Sequence, residues 1–288
     1  MQQDQRVSII IRSHNDALFL SRLLDAFKKQ TYQNFEIVVC DDHSTDGTLQ
    51  LLWNNLDVRL LKPPRGPYVP GKTLNYCVQK CSSDIVVFNN SDVIPLDENY
   101  LAELLRPILE GKAVGTFGNQ HSRPDADVLV KKDHERAFGS GEISRHWKNF
   151  FSLASCAVRR DILLKVLFDE KIQYNEDVEW SLRCRNEGGE IKYVSTANCE
   201  HSHNYTTKEL WVRFYNEGFA DGRIYGKAPL FFVCVRQFMM EVFRDMIYLL
   251  RQGRMDCVFQ SLTRRWIQKY GHWRGMRDFQ KKKNKAEN

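Results

Sequence analysis

A chain of 288 residues that is 42% hydrophobic and 27% charged can bury one large or two modest cores, which excludes disorder as its main state. The formal charge of +6 draws heavily on the C-terminal part, where Arg264, Arg265, Lys269, Arg274 and Arg277 precede Lys281, Lys282, Lys283 and Lys285. Those lysines lack interleaved aromatics and a folded module of their own, so nucleic-acid binding is set aside.

No run reaches the roughly 18 apolar residues of a spanning helix. The polar start Met1–Arg6, followed by the short apolar stretch Val7–Ile11, predicts no signal segment. The eight cysteines are scattered and several sit in apolar surroundings, which predicts reduced, structural thiols in a cytosol. Cys77 and Cys81 share a helix face, but no second pair or nearby His completes a zinc pattern.

In chain order, "VSIII" at 7–11 is a short apolar run that ends in the polar cluster Arg12–Asp16. Leu20, Leu23, Leu24 and Phe27 then recur at helical spacing over 17–30. "FEIVVCDD" at 35–42 repeats the plan, an apolar run cut off by acids. "GTLQLLWNN" reads as a helix, "VRLLK" at 58–62 as a strand, "KTLNYCVQKC" at 72–81 as a helix and "DIVVFNN" from 84 as the next strand. Such Val- and Ile-rich runs alternating with helices predict a mostly parallel sheet covered on both faces. Ligands bind beyond the carboxyl ends of strands in sheets of this kind, so His14–Asp16, Asp41, Asp42 and Asn90–Asp92 are expected to open onto one crevice.

After about residue 110 the pattern changes. "AVGTFGNQ" predicts a strand, whereas 121–150 is long, charged and weakly periodic, as suits an active-site loop or short irregular helices. It holds His121, Arg123, Asp125, His134, Arg136 and His146. "FSLASCAVRRDILLKVLFDE" predicts strand then helix, and "NEDVEWSLRCRNEG" a helix stopped by Gly188 and Gly189. "IKYVSTANCEHSH" is a strand leading into a turn, and 207–222 and 229–250 are two further helices.

Neither a G-x-G-x-x-G fingerprint nor a G-x-x-x-x-G-K-[ST] phosphate loop is present. Acids stand where glycines would. Carboxylates at strand ends hold a divalent cation or the hydroxyls and imide of a nucleoside, and Mg2+ or Mn2+ held this way keeps positions for diphosphate oxygens.

Four segments in order, "VSIIIRSHND", "FEIVVCDDHSTDGT", "FNNSDVIP" and "NEDVEWSLRCRNEGG", resemble the family 2 glycosyltransferases, inverting enzymes that use nucleotide-diphosphate sugars; the likeness covers roughly residues 7–205. The resemblance implies an α/β GT-A fold, a Rossmann-like and mostly parallel sheet with helices on both faces, plus a C-terminal helical extension. It divides the chain into a catalytic domain at 1–222, a helical region at 223–280 and a basic disordered tail at 281–288. Within the first, the nucleotide-sugar half covers about 1–110 and the acceptor half about 111–222. Donor binding would fall to His14, Asn15, Asp42, Lys72, Asn75, Asn90 and Ser91. The family's D-x-D metal motif is represented by Asn90-Ser91-Asp92, with Asp92 the surer ligand. His203, with His201 as the alternative, would complete the shell around Mn2+ or Mg2+. Of the pair Glu176 and Asp177, Asp177 would be the general base. Arg160 and Trp180 are assigned to the acceptor or a phosphate.

The implied reaction moves a hexose or deoxyhexose from a UDP- or dTDP-linked donor to a hydroxyl of a saccharide or lipid-linked saccharide. The stretch "RRWIQKYGHWRGMRDF" at 264–279 is weakly similar to the tail of bacterial rhamnosyltransferase-like enzymes of polysaccharide assembly. Taken singly, Asp42 is a turn acid and Glu176/Asp177 are first-turn helix acids; their joint order favours the site. A nucleotidyltransferase is the alternative enzyme, but it wants a Gly- and basic-rich loop after the first strand, and "RSHNDALF" has no glycine. A catalytically decayed glycan-binding or scaffold protein is the other alternative, raised by Asn90. Helix 229–250 suits either an anionic membrane surface on the cytoplasmic side or packing against the catalytic domain or a second subunit.

Overall fold

The computed structural model describes residues 5–55, 57–139, 141, 143, 144, 147 and 149–287, which form two compact units. His146 lies outside the described residues. The first unit comprises the chain up to Ala126, Asp133–Lys171 and Glu176–Ser202; the second comprises Asp127–Lys132, Ile172–Asn175 and His203 onward.

The first unit begins with β1 (Val7–Ser13), α1 (Ala17–Lys28), β2 (Phe35–Asp41), α2 (Thr48–Trp53), β3 (Val58–Leu61), α3 (Pro70–Lys80) and β4 (Ile85–Asn89). It continues through β5 (Ile94–Pro95), α4 (Tyr100–Leu109), β6 (Gly115–His121), β7 (Ser155–Arg159), α6 (Arg160–Lys165), α7 (Glu176–Asn186) and β8 (Ile191–Glu200), with α5 (Val128–His134) ending in it. The eight strands make one sheet in the order β3-β2-β1-β4-β7-β6-β8-β5. It is parallel from β3 to β4 and between β6 and β8, while β7 and β5 run against their neighbours. Because β7 opposes both β4 and β6, the carboxyl ends of β1, β2, β4, β6 and β8 share one edge with the start of β7.

Side-chain alternation gives each face of the sheet its own core. Val7, Ile9 and Ile11 join Leu20, Leu23 and Phe27 of α1 and Leu101 and Leu104 of α4. Ile10, Val38, Val86 and Phe88 point the other way, onto Leu74, Cys77 and Val78 of α3 and Trp180 of α7. Each fully buried side chain of this size contributes roughly 1.5–3 kcal/mol relative to exposure. Two-sided burial is why these strands read as unbroken apolar runs that stop only at the polar edge.

The second unit is helical: α8 (Thr207–Tyr225), α9 (Phe231–Arg251) and α10 (Val258–Glu287). A capping box starts α8, in which Thr206 Oγ accepts from the Glu209 amide at 3.3 Å and the Glu209 carboxylate accepts from the Thr206 amide at 2.8 Å. Glycines let α8 and α10 touch backbone to backbone: a Cβ on Gly218 would stand 2.0 Å from the His272 carbonyl oxygen, and one on Gly275 the same 2.0 Å from that of Tyr215. Asp245 of α9 is wholly buried, and accepts from Arg265 Nε at 2.7 Å, Arg265 Nη2 at 2.8 Å, Ser261 Oγ at 2.6 Å and Lys132. Burial pushes its carboxyl up, but Arg265, Lys132 and Ser261 outweigh that and hold it below the ordinary range.

Two boundaries differ from the sequence expectation. The units part between Ser202 and His203, so α8 belongs to the unit of the C-terminal helices. The basic run from 281 is helical to Glu287, because lysine is a fair helix former and extending an existing helix avoids the nucleation cost. Among the described residues no helix is long and apolar enough to cross a membrane.

Candidate active site

The polar edge starts at the turns after β1 and β2. Asn15 and His43 both adopt left-handed backbone, at φ 55° and 58°, a conformation unusual for non-glycine residues and common where a turn is over-determined. The two turns are pinned together. Asn15 Oδ1 accepts from the Thr45 amide at 2.7 Å, the Asn15 amide donates to Ser44 Oγ at 2.8 Å, and Ser44 Oγ donates to buried Asp41 at 2.6 Å. His14 Nδ1 donates to the Asp42 carbonyl at 2.6 Å. Asp42 keeps a carboxylate 34% exposed at this edge, beside His43 at 3.2 Å. Of the expected donor-binding residues here, Asp42 and the His14 ring face outward, whereas the Asn15 side-chain oxygen is spent on the neighbouring loop and its Nδ2 meets His14 Nε2 at 3.1 Å.

At the centre, Arg12 projects from the end of β1. Its Nη1 donates to Tyr68 Oη at 3.0 Å and to Glu176 Oε1 at 3.3 Å, and its Nη2 reaches Asn90 Oδ1 at 3.4 Å. Burial works against its charge, but Tyr68 and Glu176 outweigh that and raise its pKa. One guanidinium thus links the turn after β4 to the acidic start of α7. Ser91 of that turn donates to Asp16 at 2.5 Å.

Asp177 sits beside the same turn. Its Oδ1 accepts from the Val178 amide at 2.8 Å and its Oδ2 from the Leu153 amide at 3.5 Å, while the next residue, Ala154, takes the Asn90 amide at 3.0 Å through its carbonyl. Removal from water, reinforced by the charge of Glu176, raises the Asp177 carboxyl from its ordinary 3.8 to about 7, against the pull of the two amides.

Asp92 lies at the end of the turn and is 13% exposed. Arg123, stacked 4.1 Å above the Phe19 ring, donates to its carboxylate at 3.1 Å and its carbonyl at 2.8 Å. His201, just beyond β8, places Nε2 3.7 Å from Asp92 Oδ2. Its Nδ1 is 2.7 Å from Gln120 Oε1, an atom that only accepts, so Nδ1 carries the proton and the Nε2 lone pair faces Asp92. An oxygen and a nitrogen donor at this separation fit a divalent cation such as Mn2+ or Mg2+. His201, the alternative ligand, is therefore the histidine brought to Asp92 within the first unit; His203 is the residue at which the second unit resumes.

Three expected residues, Asn75, Trp180 and Arg160, are placed otherwise. Asn75 is buried, with Nδ2 on the Phe168 carbonyl at 3.0 Å and Glu170 at 3.1 Å and Oδ1 on the Phe168 amide at 2.9 Å, which makes it a packing residue of α3. Lys72 donates to the Arg65 carbonyl at 2.8 Å. Trp180 is fully buried between Phe151 and Phe168 and donates to the Val166 carbonyl at 2.7 Å, so it cannot meet an acceptor. Arg160 bonds to the Asp84 carbonyl at 2.8 Å and the Val78 carbonyl at 3.1 Å, at the start of β4. A strand of five residues at about 3.3 Å each puts it ~16 Å from the polar edge, at the wrong end of the sheet for a phosphate or acceptor. Arg12, Tyr68 and Gln120 join the site although no motif marks them. Arg12 carried one signal, a cation closing an apolar run.

Acids thus close the strands at the edge where a glycine-rich phosphate loop would otherwise stand. Residues 8–168 match the family described as Glycosyl transferase family 2, and the chain belongs to that family. Among curated proteins it is similar to the O-antigen chain rhamnosyltransferase RfbN of Salmonella typhimurium, 24% identical over 74% of this chain and 71% of that one. It is likewise similar to the O-antigen chain rhamnosyltransferase WbaN of Salmonella anatum, 29% identical over 67% of this chain and 64% of that one. Its fold is similar to that of mannosyltransferase PcManGT from Pyrobaculum calidifontis, solved with GDP-Man and Mn2+, at a TM-score of 0.67 and 17% identity over 96% of this chain and 87% of that one.

Proposed function

We propose that this glycosyltransferase moves a hexose or deoxyhexose, with inversion, from a UDP- or dTDP-sugar to a hydroxyl of a saccharide or lipid-linked saccharide, in the assembly of a bacterial surface polysaccharide. The observation that carries the reading is the raised carboxyl of Asp177, tied through Leu153 and Ala154 to the turn that bears Asp92. A base working near neutrality wants a pKa near 7 and must reach the acceptor hydroxyl. Asp177 would take that proton as the hydroxyl attacks the anomeric carbon from the face opposite the diphosphate. Arg12 pairs with Glu176 at 3.3 Å, fixing in place, and partly offsetting, the charge that helps to raise Asp177. Asp42 and His14 would contact the nucleoside, with Asn15 fixing their turns.

Asp92, His201 and His203 are the residues we assign to a divalent cation. Ser202 is fixed by Arg123, which meets its hydroxyl at 3.0 Å and its carbonyl at 2.9 Å, and the next Cα lies about 3.8 Å further along the chain, which supports His203 as the third ligand. Such a cation, when bound, supplies positive charge to the departing diphosphate. The deoxyhexose and the polysaccharide acceptor are supported by the two O-antigen rhamnosyltransferases. Eight free, buried cysteines suit a reducing, cytoplasmic setting.

The test is turnover of UDP- and dTDP-sugars with Mn2+ or Mg2+ by wild type and Asp177→Asn, alongside calorimetry of the nucleoside diphosphates. Turnover lost in Asp177→Asn with nucleotide affinity retained supports the assignment. Nucleotide binding with no turnover by the wild type on any donor would overturn it in favour of a glycan-binding protein.

A further inference from the structure

Most of the solvent-facing residues of α9 are apolar. Phe232, Met239, Phe243 and Leu250 recur at i, i+7, i+11 and i+18, spacings that align them within about 20° on a helix of 3.6 residues per turn. They are 63%, 58%, 66% and 69% exposed, and Phe259 at the start of α10 is 80% exposed. This is not the stripe that fills the core, since Cys234, Val242, Asp245 and Leu249 are the buried residues of the same helix. A second apolar face of this size marks an interaction surface.

Its charge says what covers it. Arg236 and Arg251 are exposed on this helix, while its two carboxylates lie off the stripe: Asp245 is buried on Arg265 and Lys132, and Glu241 is bonded to Arg244 at 2.9 Å. Residues 203–288 hold 17 Lys and Arg against 8 Asp and Glu, and the remainder of the chain holds 25 against 28, so the whole positive excess lies here. A second copy on this face would bring arginines against arginines with no carboxylate of the stripe to receive them. A surface of anionic headgroups over acyl chains accepts both the cations and the apolar side chains.

We propose that this face of α9, with Phe259, seats the helical unit on an anionic phospholipid surface. Lipid binding requires no turnover, so the proposal stands or falls apart from the transfer chemistry.

The experiment is co-sedimentation of the full chain with phosphatidylcholine vesicles with and without phosphatidylglycerol, at low and high salt. Wild type, Phe232→Ser/Phe243→Ser and Arg236→Gln/Arg251→Gln are compared, with circular dichroism and sedimentation velocity as controls. Wild type is expected to pellet with the phosphatidylglycerol vesicles and to be released by salt. The phenylalanine variant should bind at least about tenfold more weakly, and the arginine variant should lose its preference for the anionic lipid. Wild type left in the supernatant at low salt overturns the proposal, as does a folded phenylalanine variant that pellets like wild type. A wild-type dimer that the phenylalanine substitutions turn into monomer assigns the face to a second copy instead.

Discussion

Replacing Asp177 by Asn separates what the carboxylate does in catalysis from what it costs the fold. Its pKa of about 7 lies above the ordinary 3.8, so between those values the folded chain holds a proton that the unfolded chain releases. Stability therefore falls as pH rises through that window, and the penalty is complete above about pH 7. A shift of this size corresponds to at most about 4 kcal/mol, a ceiling because Glu176 shares the penalty. Asn keeps an oxygen for the Val178 amide at 2.8 Å and gives up only the long 3.5 Å contact to Leu153, a loss of about 0.5–1 kcal/mol. Asp177→Asn is thus expected to be more stable than wild type by about 1–3 kcal/mol near pH 8, with the gap closing toward about pH 4. Urea unfolding at the two pH values, with chelator present, measures it. The same variant should lose about 100-fold or more in turnover, and wild-type turnover should rise with pH through about 7. A variant no more stable than wild type near pH 8, or a gap that ignores pH, would refute the reasoning.

Arg12→Gln removes the cation facing Glu176, so the lower limb of the pH–rate profile should move up by about one unit, with Arg12→Lys recovering part of it; an unmoved limb denies the link. His201→Gln should weaken Mn2+ binding about 10–100-fold by calorimetry, and unchanged affinity would remove His201 from the ligand set. Asp245→Asn breaks a fully buried ion pair and should cost about 3–5 kcal/mol in urea unfolding; a loss under about 1 kcal/mol contradicts the cluster. Arg160→Ala, at the far end of the sheet, should leave kcat and KM within about twofold of wild type, and a larger change would return it to the site.

How much was legible beforehand follows the range of the interaction. Val7–Ile11, Phe35–Cys40 and Ile85–Phe88 announce buried strands locally, and the acids that close them announce the polar edge, so Asp42, Asp92 and Asp177 could be named. That the histidines after β8 meet Asp92 depends on strand order. β8 reaches that edge only because β7 and β6 intervene between it and β4, and no local pattern encodes such a sequence of neighbours. Orientation defeated Asn75 and Trp180, because a polar or aromatic residue near a motif reads the same whether it faces a ligand or the core. Arg160 failed on direction: β7 runs antiparallel to β4, so its following residues leave the site. Likewise Gly218 and Gly275 gave no hint of helix contact until α8 and α10 were seen crossing.

The amide at position 90 is the departure that most invites doubt about catalysis, and the contacts of Arg12 give it a physical reason. Arg12 is a single, largely buried cation, and Glu176 already claims it at 3.3 Å. An aspartate at 90 would place a second carboxylate on the same guanidinium, diluting its hold on Glu176. Asn90 accepts from Arg12 through a neutral oxygen and leaves the charge pairing to Glu176. On the other side of the turn Arg123 pairs with Asp92. The partners seen for Asp177 are backbone amides, so two carboxylates are neutralised by arginines while the third is left to rise toward neutrality. Asn90→Asp tests this directly. It should draw Arg12 from Glu176, shift the lower limb of the pH–rate profile upward and lower turnover near pH 7, by about two- to tenfold. Higher turnover with an unmoved profile would mean that the amide is a defect in the metal motif and not part of its charge balance.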